Sequence, residues 1–509
     1  MTTPTRLAVL LLLCSTPVAA QEAAVPTRDV AVAIDSGFLD NPTATATVVW
    51  SRDVTVPGVT AGQWLQLRFA DTHLPTGSRL RIFAAETPAA VQWHDAHSIV
   101  DYRYWSCQFV GPTLRVELLA APGSTANRTR VDLVKVLDLD GIVDTDTICG
   151  TTDDRVLSND PRACRIGVGC SAWLFSEYAV GTAGHCMDST AGKILHFNVP
   201  LSTASGTARP ALPEDQYAME AFHQFLNAGV GNDWSVSAAV RNSNTGLFPG
   251  QAQGSWYTVA LPPSFSAAHQ IRVTGYGSGN GSTGSPVGHF AQKSLAGPRL
   301  STTNPTALRY GTDTTGGNSG SPVLLESTGQ LIGVHTHGGC NTTGGGNSGT
   351  STARADWVLA RDQVLALHTV GTVTGFGAGC GSTWGIPSLT LAGIPEGGRT
   401  LLADIRNLDF FASTLGWIVI GVDASSWSGA PLPLDLGPAG MQGCTLYTSV
   451  DLTEAVFSTF GAVQRSYTLP ADPSAIGVHV YWQYVGLEAS APNTLGVVAS
   501  SAIDLVIGN

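Results

Sequence analysis

Glycine and proline punctuate this chain from end to end: 58 glycines and 28 prolines are spread over 509 residues with no Gly-X-Y period. Glycine weakens helix interiors and proline breaks them, so a chain interrupted about once in six positions cannot be built from long helices. The stretches between interruptions alternate instead. Trp64-Leu65-Gln66-Leu67-Arg68-Phe69 and Leu114-Arg115-Val116-Glu117-Leu118 are period-two runs, and such runs bounded by turns are half-buried strands. The fold class is therefore mainly β.

Charge narrows the partners. The chain has 38 acidic and 26 basic side chains, a formal net charge of −12. Its lysines are Lys135, Lys193 and Lys293, and no basic run occurs. Phosphate backbones need clustered cations, so a nucleic-acid partner is excluded. Charged residues at 13% against a hydrophobic 43% exclude a disordered polyelectrolyte.

Residues 1–20 have the form of a signal peptide. Arg6 precedes the apolar run Leu7 to Leu13, and Val18-Ala19-Ala20 stands before Gln21, a small-residue cleavage site near Ala20. Lipid attachment at Cys14 is disfavoured because Leu11-Leu12-Leu13 lacks a small residue before the cysteine. No later stretch is long and apolar enough for stable membrane insertion. The expected location is secreted, periplasmic or at the cell surface. Eight cysteines then remain, at 107, 149, 164, 170, 186, 340, 380 and 444, and an even count in an exported chain favours disulfides. No CxxC pair or matching histidine spacing supports a metal site, and no cofactor is expected. His94 and His97 read as surface residues.

Four regions follow the signal: a β-sandwich leader or accessory domain at 21–140, a connector at 141–165, a region carrying the chemistry at 166–368, and a C-terminal β-sandwich module at 375–509. Apolar positions 357, 358, 364, 365 and 367 allow one helix near the end of the third region. Cys380 and Cys444 could staple the fourth. That module could serve surface attachment, glycan contact or export sorting, or act only as a stabilising domain.

Three segments stand out: Thr182-Ala183-Gly184-His185-Cys186, then Asn232-Asp233-Trp234, then Gly316-Gly317-Asn318-Ser319-Gly320-Ser321-Pro322. An alcohol is a weak nucleophile at neutral pH and needs a base. The base in turn needs a carboxylate to fix its tautomer and stabilise its cation. His185, Asp233 and Ser319 supply the three groups. Tight glycine turns can aim backbone N–H groups at a developing oxyanion, and Gly317 and Ser319 are the natural donors. The α/β-hydrolase arrangement fails, because its chain order is Ser, Asp, His and its elbow needs glycine where Ser321 stands.

The histidine and serine segments resemble those of the chymotrypsin-like (trypsin-like) serine peptidases, over about 200 residues. The intervals of 48 residues from His185 to Asp233 and 86 from Asp233 to Ser319 suit that family's two-barrel fold. The resemblance implies His185 as general base then acid, Asp233 as orienting carboxylate, Ser319 as nucleophile and a Cys170–Cys186 disulfide. Two departures matter. Asn318 stands where trypsin carries an aspartate that receives a newly cut N-terminus. Thr315 replaces a cysteine of the vertebrate digestive members, so Cys340 needs another partner. The bacterial branch, with its glutamyl and lysyl endopeptidases, is the nearer likeness. Lysyl endopeptidases imply Cys149–Cys340, which leaves Cys107–Cys164 to tether the leader.

Readings of the substrate pocket conflict. Asp313 resembles the trypsin position that binds Arg or Lys at P1, the substrate residue before the cut. Thr314 and His335 resemble the acidic-P1 pocket of glutamyl endopeptidases, with Thr336, His337 and Gly338 continuing the strand that pairs with substrate. Asp313 bound to a local backbone turn is the bland alternative. The expectation leans to acidic P1, with basic P1 second. A non-catalytic binding or adhesion protein on a peptidase-like scaffold is the rival class, and an esterase or lipase a third. The leader resembles those of secreted bacterial serine peptidases and is either a cleaved pro-region or a permanent domain. Arg155, Arg162 and Arg165 are candidate processing sites.

Overall fold

The computed structural model describes residues 27–60, 62–138, 146–167 and 169–509, so the signal at 1–20 lies outside the described residues. Two compact units divide at Leu365/Ala366.

The first unit opens with a sandwich of two four-stranded antiparallel sheets. One runs Thr27–Asp35, Arg128–Leu137, Trp64–His73, Phe109–Val110, and the other Thr47–Thr55, Thr113–Ala120, Arg79–Ala84, Val91–His94. Alternation does what the sequence asked of it: Leu114, Val116, Leu118 and Ala120 are buried and the residues between them are partly exposed. Each such leucine or valine stabilises by about 1.5–3 kcal/mol relative to exposure.

Beyond the sandwich lie two barrels. The first is closed by six strands in the order Ala163–Ile166, Cys170–Leu174, Ala179–Thr182, Asp233–Ala239, Gln216–Asn227, Ile194–His196. The second runs Lys293–Leu300, Gln270–Gly275, Pro322–Leu325, Gln330–His337, Asn347–Ser351, Ala307–Tyr310 and closes back on Lys293–Leu300. The protein is thus a mainly β molecule with the expected two-barrel core.

The sandwich is joined to the first barrel by a shared core. Ile194, Ala218 and Val240 belong to the same apolar cluster as Leu65, Leu80 and Val116. The Tyr102 hydroxyl donates to the Gln216 carbonyl at 2.9 Å. Gln108 N donates to Gln216 Oε1 at 2.7 Å, and Gln216 Nε2 returns a bond to the Gln108 carbonyl at 2.9 Å.

The described part of the connector pairs with strands of the barrel region. Asp146–Thr147 pairs with Thr314–Thr315, and Val156–Leu157 pairs with Lys293 and Ser294. Pairing with the barrels thus begins at Val156, inside the expected connector, and Ala163–Ile166 is already a strand of the first barrel. The three arginines expected as candidate processing sites are engaged by the fold. Arg155 and Arg165 are buried. Arg162 pairs with Asp160 at 2.7 Å and stacks on Tyr257.

Three of the four expected disulfides are present: Cys149–Cys340, Cys170–Cys186 and Cys380–Cys444. The fourth is not. Cys107 and Cys164 are free and buried. Cys107 is buried in the sandwich cluster and Cys164 in the separate cluster of the first barrel. His94 also departs from expectation. It is fully buried, with its ring edge-on to Tyr102, and burial pushes its pKa down to about 3.

A helix at Ala355–Leu365 closes the first unit. It buries Trp357, Ala360 and Val364, and Trp357 packs against Trp173 and Phe175 of the first barrel. Leu365, expected on the apolar face, is exposed.

The second unit holds a five-stranded sheet, Thr372–Phe376, Val497–Val506, His479–Leu487, Leu415–Gly421, Leu452–Phe457, and a three-stranded sheet, Ser388–Ala392, Thr400–Arg406, Val463–Thr468. They enclose one core that includes Leu401, Ile418, Tyr484 and Leu505. Among the described residues no helix is long and apolar enough to cross a membrane.

Candidate active site

His185 and Asp233 meet because two neighbouring strands are antiparallel. Ala179–Thr182 pairs with Asp233–Ala239, with Thr182 opposite Ser235. The short turn Gly184–Cys186 after the first strand therefore lies beside the start of the second. A side chain at position 184 would collide with the Leu226 and Trp234 carbonyls, so the turn requires Gly184.

Asp233 is fully buried. Its Oδ1 accepts the Gly184 N–H at 2.6 Å and the His185 N–H at 3.1 Å, and its Oδ2 lies 2.7 Å from His185 Nδ1. An ionised carboxylate can only accept, so this contact places the imidazole proton on Nδ1 and leaves the Nε2 lone pair for proton transfer. Nε2 is buried and has no hydrogen-bond partner among the described residues.

Ser319 belongs to a turn gripped by the first barrel. Its carbonyl accepts the Ser171 N–H at 2.7 Å, and Cys186 Sγ lies 3.9 Å from the same oxygen. The Ser171 hydroxyl donates to the Gly317 carbonyl at 2.9 Å. Gly317 and Gly320 have φ of 97° and 86°, values open to glycine and costly for other residues. The serine turn is therefore docked against the strand Cys170–Leu174, beside the disulfide that borders His185. Those two sulfurs are bonded to each other, so neither offers a metal a thiolate.

The expected pocket residues occupy two environments. Asp313 is buried, and its carboxylate accepts the Cys149 N–H at 2.8 Å and the Asp154 N–H at 3.1 Å. Burial raises its pKa against the pull of those two donors. Thr314 Oγ1 lies 2.7 Å from Thr147 Oγ1, and Gly338 packs on the Thr147 side chain. His335 Nδ1 lies 2.7 Å from the Tyr310 hydroxyl. Thr336 donates to the Ser348 carbonyl at 3.5 Å, and the His337 ring stands edge-on to that of His185 with centroids 6.5 Å apart. A cavity of about 510 Å³ lies beside His185 and Cys186, lined also by Trp64, Gln108 and Lys135 of the sandwich.

Two residues that bear on the site were missed in the sequence. Ser171 carries no motif of its own. Arg155 was named only as a candidate processing site, yet its guanidinium donates to Asn318 Oδ1 at 2.9 Å. Its neighbours Asp153 and Asp154 were the available signal, and nothing local separates a buried charge cluster from an exposed one.

Residues 157–358 match the protein family described as Trypsin. Among solved structures, a thermostable serine protease, AL20, from an extremophilic microorganism aligns at 14% identity and a TM-score of 0.31, covering 41% of this chain and 98% of its own. Human heparin binding protein aligns at 17% identity and a TM-score of 0.30, covering 42% of this chain and 96% of its own. No curated protein gives a significant match. The family match over two closed β-barrels supports a trypsin-like serine peptidase domain in residues 157–358 of this chain.

Proposed function

We propose that the protein is an exported serine endopeptidase that hydrolyses polypeptides through an acyl-enzyme on Ser319. The observation that carries this reading is the buried Asp233 carboxylate, 2.7 Å from His185 Nδ1 and held by two backbone N–H groups. Such a carboxylate fixes the tautomer in which Nε2 takes the serine proton and later returns it to the leaving amine. Gly317 and Ser319 N–H groups receive the oxyanion of the tetrahedral intermediate. A scaffold used only for binding has no need of a buried, oriented carboxylate behind a histidine.

Acidic P1 remains the favoured specificity. The Asp313 carboxylate is engaged by two connector N–H groups, which weakens its claim as a receptor for Lys or Arg. Of the acidic-P1 set, His335 is the leading candidate for a substrate carboxylate, since the Thr314 and Thr336 hydroxyls are engaged by Thr147 and the Ser348 carbonyl. Export fits the disulfides, which persist in oxidising compartments. The shared core of sandwich and barrel favours a permanent accessory domain over a discarded leader.

The test is a serine-directed fluorophosphonate on wild type beside Ser319→Ala, with a peptide-library digest. One adduct, absent from a folded Ser319→Ala that has lost roughly 10⁶-fold in kcat, is expected. Cuts only after Lys or Arg would reverse the P1 assignment. Labelling that persists in Ser319→Ala would overturn the nucleophile.

A further inference from the structure

Besides Ser171, which holds the Gly317 and Ser319 carbonyls, a guanidinium reaches the turn that carries Ser319 from outside the barrels. Arg155 is 2% exposed, yet each of its five N–H groups has an acceptor. Nε and Nη2 donate to the Asp153 carboxylate at 2.7 and 2.6 Å, and Nη2 also donates to the Ser278 carbonyl at 2.8 Å. Nη1 donates to Thr315 Oγ1 at 2.8 Å and to Asn318 Oδ1 at 2.9 Å. A buried cation is costly unless paired and fully hydrogen-bonded, so a guanidinium with every donor used occupies a built seat. Gly277 makes the room: a Cβ there would collide with Asn318 Oδ1, Thr315 Oγ1 and Arg155 Nη1.

That seat lies at the neck of the nucleophile turn. Asn318 Oδ1 also accepts the Thr315 N–H at 3.1 Å, and the Asn318 carbonyl accepts the Ser321 N–H at 2.8 Å. Gly316, Gly317 and Gly320 permit the turn's shape but do not enforce it, since glycine has the widest backbone freedom. Oxyanion donors act only when preorganised. Ser171 fixes two carbonyls of the turn, and the side chains of Thr315 and Asn318 at its neck are fixed by residue 155, just ahead of the first strand that pairs with the second barrel. Its charge is balanced locally by Asp153, so the residue before the nucleophile can be a neutral asparagine.

We propose that Arg155 is the positioning residue that holds the Thr315–Ser321 turn in its oxyanion-binding shape, making the uncut chain catalytically competent. The proposal rests on the reading of Ser319 as nucleophile. A cut between Arg155 and Val156 would leave the clamp on the upstream fragment, and so loosens the turn where a trypsin-like activation cut would order it.

The test uses full-length protein shown to be uncut by intact mass, treated with a fluorophosphonate beside Arg155→Met and Arg155→Lys, with and without guanidinium at non-denaturing concentration. Uncut wild type is expected to take one adduct. Arg155→Met is expected to label about 10²–10³-fold more slowly, the loss typical of one oxyanion donor. A peptide substrate should show that loss in kcat with KM little changed. Arg155→Lys should fall between, and added guanidinium should restore part of the Arg155→Met rate, a response that general loosening of the fold would not give. Equal labelling of Arg155→Met and wild type would overturn the proposal. So would labelling that appears only after a cut at Arg155, and that result decides the matter even if Arg155→Met does not fold. No labelling of wild type, cut or uncut, would instead remove the nucleophile assignment and the clamp's role with it.

Discussion

On the histidine side of the site, Asp233 is fixed by its own barrel: two backbone N–H groups from the Gly184 turn hold one oxygen, and His185 takes the other. On the serine side the supports come from far along the chain. Ser171 of the other barrel holds two carbonyls of the turn, and the connector supplies Arg155 to Asn318 and Thr147 to Thr314. The first arrangement is a local consequence of one strand pairing. The second exists only once a segment outside the barrels has packed. The histidine half should therefore be robust to changes in the connector, and the serine half should not.

The largest expected effect tests the histidine half alone. Asp233→Asn keeps an oxygen for the Gly184 and His185 N–H groups but turns an amide N–H toward His185 Nδ1. That favours the wrong tautomer, and kcat should fall roughly 10⁴-fold with little loss of folding, checked by steady-state kinetics and a thermal melt. Retention of activity would mean that the carboxylate's charge does not matter here.

Next come the two disulfides, one on each side. Cys149–Cys340 closes a loop with a sequence separation of 191 and Cys170–Cys186 one of 16. The chain-entropy estimate gives about 5 kcal/mol for the first and about 3 kcal/mol for the second. Urea midpoints of the paired Cys→Ser variants should follow that order. The reverse order would show that the connector contributes less to the serine half than its contacts imply.

A smaller effect separates two connector-side carboxylates by pH. Burial alone would raise the Asp153 carboxyl, but the Arg155 guanidinium and backbone N–H groups hold it below its usual 3.8. Its contribution is present above the unfolded value of about 4 and is lost as pH falls through the lowered folded value. The Tm advantage of wild type over Asp153→Asn should therefore shrink in acid. Asp313 has the opposite sign, because burial raises its carboxyl. Its contribution is present in acid and lost as pH rises, so wild type should lose ground to Asp313→Asn on going from acid to neutral pH. Parallel pH dependence of the two variants would contradict these assignments.

The smallest effect is a count of thiols. Alkylation in denaturant without reductant, followed by peptide mapping, should modify Cys107 and Cys164 and none of the six bridged cysteines. Native protein should resist, because burial pushes both thiols well above their ordinary pKa.

Legibility followed the range of the interaction. Thr182-Ala183-Gly184-His185-Cys186 could be read directly, because the turn's geometry is set by residues within it and by the adjacent strand. Period two in Leu114 to Leu118 specified a half-buried strand, since a strand's faces alternate whatever lies beyond them. Arg155 could not be read, because its acceptor at Asn318 is 163 residues away. His94 failed for the same reason: its environment is made by Tyr102 and the surrounding core. The Cys107–Cys164 pairing was reached by elimination, and elimination carries no distance.

By itself the sequence determined a mainly β chain and the candidacy of His185, Asp233 and Ser319 for proton transfer and nucleophilic attack. Those follow from local backbone preference, from alternation, and from which side chains can donate or accept a proton. Tertiary structure alone decided that the sandwich and the first barrel share a core, that two cysteines stay free, that Asp313 binds connector N–H groups, and that Arg155 reaches the turn carrying Ser319. Each of these depends on where distant segments meet, and burial, which turns a surface charge into a structural one, exists only after they have met.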